Sequence, residues 1–186
     1  SVFMEAHMPE KGVLTKRAPS PREHDDMAFG MRVAISVSAL DIGQTLVVKD
    51  GTVLAVEAFE GTDATIRRAG RLGGKDCVVV KVAKPGHDMR FDIPVVGMKT
   101  MKTLRRAGVS AVAVQADRCI FLEKERVVAR ADELGIAIEA IPYTDSDVSD
   151  GGGPAASALE RNGFSSLPRS AEEPPPRPPT DSADNG

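Results

Sequence analysis

The residues best equipped for chemistry gather in one stretch, Lys81-Val-Ala-Lys-Pro-Gly-His-Asp-Met-Arg-Phe-Asp-Ile-Pro94. Its second half holds His87, Asp88, Arg90 and Asp92, with Lys81 and Lys84 just upstream. Carboxylates, an imidazole and cations in so short a segment suit the handling of an anionic substrate. Loops at strand ends are where α/β folds place such work. The same composition also suits a solvated turn whose charges pair with one another. A second cluster lies earlier, in Glu57-Ala-Phe-Glu-Gly-Thr-Asp63 followed by Arg67-Arg68. Gly61 permits an abrupt turn there, and Thr62 is placed to N-cap a helix running through Arg68. Such a helix start offers free backbone N–H groups to an anion. Arg67 and Arg68 could add forked donors to a phosphate. Glu57, Glu60 and Asp63 could hold a divalent cation, as hard oxygen ligands do. Against this stands a capped surface helix with i,i+4 pairing of Asp63 and Arg67.

Both clusters need rigid elements behind them. The β-branched run Val78 to Val80 reads as a buried strand, and Pro85-Gly86 ends it. Residues 22–40 read as a helix, with acids in its first turn and Met27, Met31, Ala34, Ile35, Ser38 and Ala39 at helical spacing. His24, Asp25 and Asp26 read as its solvated start. Asp41-Ile-Gly-Gln44 closes the helix, with Gly43 as C-cap. Thr45 to Lys49 and Thr52 to Glu57 flank Asp50-Gly51, a type I′ hairpin signal. Gly70 to Gly74 reads as a loop and Pro94 to Gly97 as a short extended segment. Thr100 to Gly108 reads as a basic helix with a polar outer face. Strands at 109–115, 119–122 and 136–141 follow, with an amphipathic helix at 123–134 capped by Gly135. This order predicts an α/β fold, a mixed sheet with a β-hairpin, covered by helices.

Composition narrows the partners. Of 186 residues, net charge is −3, with one Tyr and no Trp. No overall basic field or stacking platform therefore invites nucleic acid. Cys77 and Cys119 form no ligand motif and read as buried free thiols of a reducing cytosol. No apolar run approaches the ~20 residues that span a bilayer, and the first residues carry no secretory signal pattern. Residues 1–21, with four prolines and glycines among them, read as an extended connector, and 22–142 as the folded domain. Residues 143–186, rich in Gly and Pro, cannot bury enough apolar surface to order themselves, and a disordered tail is expected.

Taken together, Asp41-Ile-Gly-Gln44, the 57–68 cluster, Lys81-Val-Ala-Lys-Pro, His87-Asp88-Met-Arg-Phe-Asp-Ile-Pro94 and Ala131-Asp-Glu-Leu-Gly-Ile resemble the C-terminal domain of the LpxI-type UDP-2,3-diacylglucosamine pyrophosphatases, over roughly residues 9 to 141. The resemblance implies hydrolysis of UDP-2,3-diacylglucosamine to 2,3-diacylglucosamine 1-phosphate (lipid X) and UMP in lipid A biosynthesis of Gram-negative bacteria. It implies water attack on the α-phosphorus and a divalent cation, usually magnesium. It also implies an N-terminal domain that shares the substrate, with residue 1 standing near the interdomain connector. A cytoplasmic enzyme working at the inner face of the inner membrane follows, with homo-oligomerisation left open.

The family's essential aspartate falls on Asp88, as metal ligand or water-orienting base. Lys81 joins it as a catalytic candidate. Asp63 and Glu57 are candidate second carboxylates for the metal. Gln44, Gly61, Thr62, Arg67, Arg68 and Arg90 are candidates for binding substrate phosphate. A non-catalytic fragment that binds a nucleotide-sugar or phosphate without its partner domain is the alternative.

Overall fold

A computed structural model describes residues 6–84 and 93–142. The chain runs β1 (Ala6–His7), β2 (Gly12–Val13), α1 (Pro21–Ala39), β3 (Thr45–Lys49), β4 (Thr52–Val56), α2 (Thr62–Gly73) and β5 (Cys77–Lys81). It continues with β6 (Val95–Val96), α3 (Met98–Arg106), β7 (Val109–Gln115), β8 (Ile120–Leu122), α4 (Lys124–Leu134) and β9 (Ala137–Ile141). Six strands form one sheet in the order β2-β9-β7-β5-β3-β4, and β1-β8-β6 form a small second sheet. β5, β7 and β9 are mutually parallel, while β3, β4 and β2 run antiparallel to their neighbours. The mixed α/β architecture expected from the element order is the one observed. The expected tail at 143–186 lies outside the described residues.

The sequence explains why β5 is central. Its CVVVK residues are buried throughout, as a strand covered on both faces requires. Alternate residues feed two cores. Val78 and Val80 pack with Met27, Met31, Ala34 and Ile35 of α1. Cys77 and Val79 share the opposite core with Ile66, Leu104, Phe121 and Val127. The period-2 alternation of the strand thus sorts its side chains between α1 on one face and α2, α3 and α4 on the other. Cys77 and Cys119 are buried and free. Burial pushes the Cys119 thiol up to about 12 and raises that of Cys77, so neither is a ready nucleophile.

The hairpin forms as its Asp-Gly dipeptide directs: Asp50 and Gly51 both take positive φ, 51° and 70°. Its turn is pinned from outside by Asp26, whose carboxylate accepts from the Asp50 N–H at 3.0 Å and the Gly51 N–H at 2.7 Å. Asp26 is thus buried, not solvated as the helix-start reading has it, while His24 and Asp25 are exposed. The extended stretch before α1 is paired: β2 adds to the edge of β9, and β1 to β8.

α1 begins in a full capping box. Ser20 accepts from the Glu23 N–H, and Glu23 accepts from the Ser20 N–H at 2.8 Å. Arg17 grips the same carboxylate with two bonds of 2.7 and 3.0 Å. Burial by itself would raise the Glu23 pKa, but the Arg17 and Ser20 donors outweigh it and hold the carboxyl at about 2. A lowered folded value stabilises the fold above the unfolded carboxylate range, and that stability drains as pH falls toward 2. Arg17 is 38% exposed, so solvent discounts the pair. We expect Glu23→Gln to cost about 2 kcal/mol at neutral pH and to flatten the stability curve between about pH 5 and 2. Denaturant melts of both proteins across that range check it. Parallel curves would mean that Glu23 is not the group responsible.

Candidate functional site

The parallel strands deliver their C-terminal ends to one place. β5 ends in Lys81 and β7 in Gln115, and the open end of a parallel sheet is where such folds bind ligands. A cavity of about 400 Å3 opens there, lined by Gln44, Glu57, Thr62, Lys81 and Lys84 among others.

Lys81 forms its floor. The side chain is 6% exposed, and the register of β3 against β5 sets Thr45 directly opposite. The Lys81 ammonium donates to Thr62 Oγ1 at 2.9 Å and to Thr45 Oγ1 at 3.3 Å. Thr62 in turn donates to Glu57 Oε1 at 2.9 Å. Chemistry fixes the direction of the chain, because an ammonium only donates and a carboxylate only accepts. The Thr45 proton is left to point at Thr62, 3.3 Å away. Glu57 Oε2 is buried and has no hydrogen-bond partner among the described residues. Lys81 makes no ion pair with a carboxylate among the described residues. A buried cation braced by neutral hydroxyls is suited to an anionic ligand, and the unspent carboxylate oxygen nearby is suited to a cation or a donor carried with it.

Thr62 was expected to cap α2, but the N-cap is Gly61, at φ 79° and ψ 164°, with no side-chain cap. Thr62 stands one residue inside, and its hydroxyl is turned to Lys81 and Glu57 instead. Gly43 does not end α1 either. Leu40 is the C-cap, and Gly43 lies against β4, where a Cβ would come within 2.0 Å of the Glu57 carbonyl oxygen. The expected loop at 70–74 is helical through Gly73. Gly70 belongs there because a Cβ would meet the Ala107 backbone at 2.7 Å.

The structure brings together Gln44, Glu57, Thr62 and Lys81, with Gly61 at the N-terminus of α2. It does not bring the arginines in. Arg67 is exposed. Arg68 is engaged with Glu60 at 2.6 Å and the Val56 carbonyl at 3.0 Å. The Arg68 guanidinium beside it holds the Glu60 carboxyl down at about 2. Asp63 faces Lys99 of α3 at 3.4 Å and does not line the cavity. Asp88 and Arg90 lie outside the described residues, as do His87 and Asp92. The described residues at either end of that segment, Lys84 and Ile93, both line the cavity. Among the described residues no three metal-ligating side chains converge. Glu57 does fit a hard cation, since its second oxygen is the orphaned one, and magnesium often takes few protein carboxylates beside substrate oxygens. Thr45 was not singled out from the sequence. Its part depends on cross-strand register, which no local signal carries.

Among known proteins, the family model described as the LpxI C-terminal domain matches residues 10–139. UDP-2,3-diacylglucosamine pyrophosphatase LpxI of Caulobacter vibrioides is 38% identical over 136 residues, covering 69% of this chain. The matched part is 49% of that relative, so the chain spans about half its length.

Proposed function

The chain belongs to the LpxI C-terminal domain family, and from that premise we propose that its cavity works on the pyrophosphate of UDP-2,3-diacylglucosamine, releasing UMP and 2,3-diacylglucosamine 1-phosphate. The observation that carries this reading is the buried Lys81 ammonium, braced by Thr45 and Thr62 beside the orphaned Glu57 oxygen.

The reaction needs charge neutralised on the phosphate oxygens and a water held in line. Two of the three Lys81 protons are used by threonines, and the third has no partner among the described residues and is assigned to a phosphate oxygen. The N-terminus of α2, opened by Gly61, adds backbone N–H groups at the same wall. Glu57 and Asp88 would hold magnesium, which would supply charge stabilisation to the diphosphate. Asp88 is assigned to orienting water or holding the metal. Gln44 lines the same wall and is assigned to the substrate. On this reading the protein works on its lipid substrate at the inner face of the inner membrane, as a peripheral contact. Among the described residues, no helix is long and apolar enough to cross a bilayer.

The experiment is magnesium-dependent release of UMP from UDP-2,3-diacylglucosamine, by the wild-type chain and by Asp88→Ala. We expect turnover that falls by at least about a thousandfold in the variant while substrate still binds. Wild-type turnover in Asp88→Ala would remove Asp88 from the reaction. Binding of substrate with no turnover in either protein would favour the phosphate-binding fragment instead.

A further inference from the structure

A second cavity, about 250 Å3, lies between α3 and α4 and shares no lining residue with the Lys81 cavity. Its walls are Lys102, Arg105, Arg106 and Arg130 over Met98 and Met101, and no carboxylate among the described residues lines it. Arg130 bonds Glu133 at 2.6 Å, so one cation is partly neutralised. Lys102, Arg105 and Arg106 have no ion-pair partner among the described residues.

Helix stability does not account for this cluster. The sequence of α3, MKTMKTLRR, has no acid in nine residues. Lys102 therefore meets Arg105 and Arg106 at i+3 and i+4, spacings at which like charges destabilise a helix. Arg105 and Arg106 in the last turn complement the helix dipole, but Lys99 stands in the first turn, at the positive end, and Lys102 at the middle gains nothing from it. The neighbouring helix shows the other solution. α4 pairs its arginines locally, Arg126 with Glu123 and Arg130 with Glu133. α3 is already anchored through buried Met101, Thr103 and Leu104, so its outward cations are not needed for packing. In a chain of net charge −3, this concentration of positive charge is local and concave.

We propose that the α3–α4 cavity binds a phosphate-bearing group, supplied as a soluble phosphate ester or as the headgroup of an anionic lipid. Guanidinium groups present forked donors to phosphate oxygens, and the methionine floor accepts the apolar part of an ester. The site is separate from the one assigned to the pyrophosphate and does not depend on that assignment.

The test uses the full chain carrying Lys81→Met, which removes the buried ammonium of the first cavity. Inorganic phosphate is titrated in one arm, followed by the amide signals of α3. Vesicles of phosphatidylcholine with and without phosphatidylglycerol are sedimented with the protein in the other. Saturable phosphate shifts support the site with a soluble ester as its ligand. Capture by phosphatidylglycerol vesicles alone supports it with a lipid headgroup. In whichever arm binds, Arg105→Glu/Arg106→Glu should weaken affinity at least about tenfold with the melting temperature kept. Lys102→Gln/Arg105→Gln, milder in charge, should weaken it in the same direction and serves if the first variant melts early. No binding in either arm overturns the proposal, as does binding that survives both variants.

Discussion

Lys81→Met is expected to lower UMP release by at least about a thousandfold, some 4 kcal/mol of lost transition-state stabilisation, and to leave the fold standing. The substitution keeps a long unbranched chain in a buried slot and removes a charge that no carboxylate neutralises among the described residues. Removing a buried cation with no ion-pair partner among the described residues does not destabilise as breaking a pair does. The hydroxyls left behind still satisfy each other, since Thr45 lies 3.3 Å from Thr62 and Thr62 keeps Glu57 Oε1 at 2.9 Å. The melting temperature should therefore hold or rise while activity collapses. Arginine at the same position should not rescue, because its planar fork is too wide for a site built around a point charge between two threonines. Steady-state UMP release with a thermal melt on the same preparations reads both quantities. Activity within tenfold of wild type would mean that Lys81 does not face the reacting phosphate, and the site would have to be sought elsewhere.

The features of this site divide sharply by what the sequence makes legible. Val78 to Val80 and Asp50-Gly51 carry their own instructions, a β-branched run and a left-handed turn pair, and the strand and hairpin form there. Lys81 and Glu57 could be singled out as polar residues at strand ends. Their relation could not, because it passes through Thr45 and Thr62, which meet only when β3 lies antiparallel on β5 in one register. Thr62 shows the limit of local rules. Its position suits an N-cap, but Gly61 takes that place and the hydroxyl is claimed by tertiary partners. Asp26 fails in the same way. Among the acids of a helix start it looks solvated, and only the approach of the hairpin turn makes it a buried acceptor. Arg68 sits a turn into α2 as a phosphate donor would, but Glu60 is nearer and claims it. Charge and spacing thus nominate residues, and the topology decides which nominees meet.

Gly43 is where that topology is most exposed to a single atom, and Gly43→Ala is expected to cost about 2–4 kcal/mol. The penalty is steric. Gly43 does not have a positive φ, so alanine could adopt its backbone without strain. Its Cβ would fall 2.0 Å from the Glu57 carbonyl oxygen and 2.7 Å from the carbonyl carbon, both backbone atoms that no rotamer change can move. Relief requires the end of β4 to shift, and the Glu57 N–H is bonded there to the Thr45 carbonyl at 2.8 Å. Moving Glu57 pulls its carboxylate from Thr62 and loosens the brace on Lys81. Stability and activity should therefore fall together, with kcat reduced even at temperatures where the variant is fully folded. Gly97→Ala is the control. A Cβ at Gly97 meets Leu122 at 3.8 Å, an ordinary contact, and its φ of −144° admits any residue. That variant should stay within about 0.5 kcal/mol of wild type and keep its turnover. Denaturant unfolding and UMP release on both variants separate the outcomes. A stable, active Gly43→Ala would show that Glu57 can move without consequence, which would exclude it from the site; a stable but inactive one would place the whole effect on the Glu57–Thr62–Lys81 geometry.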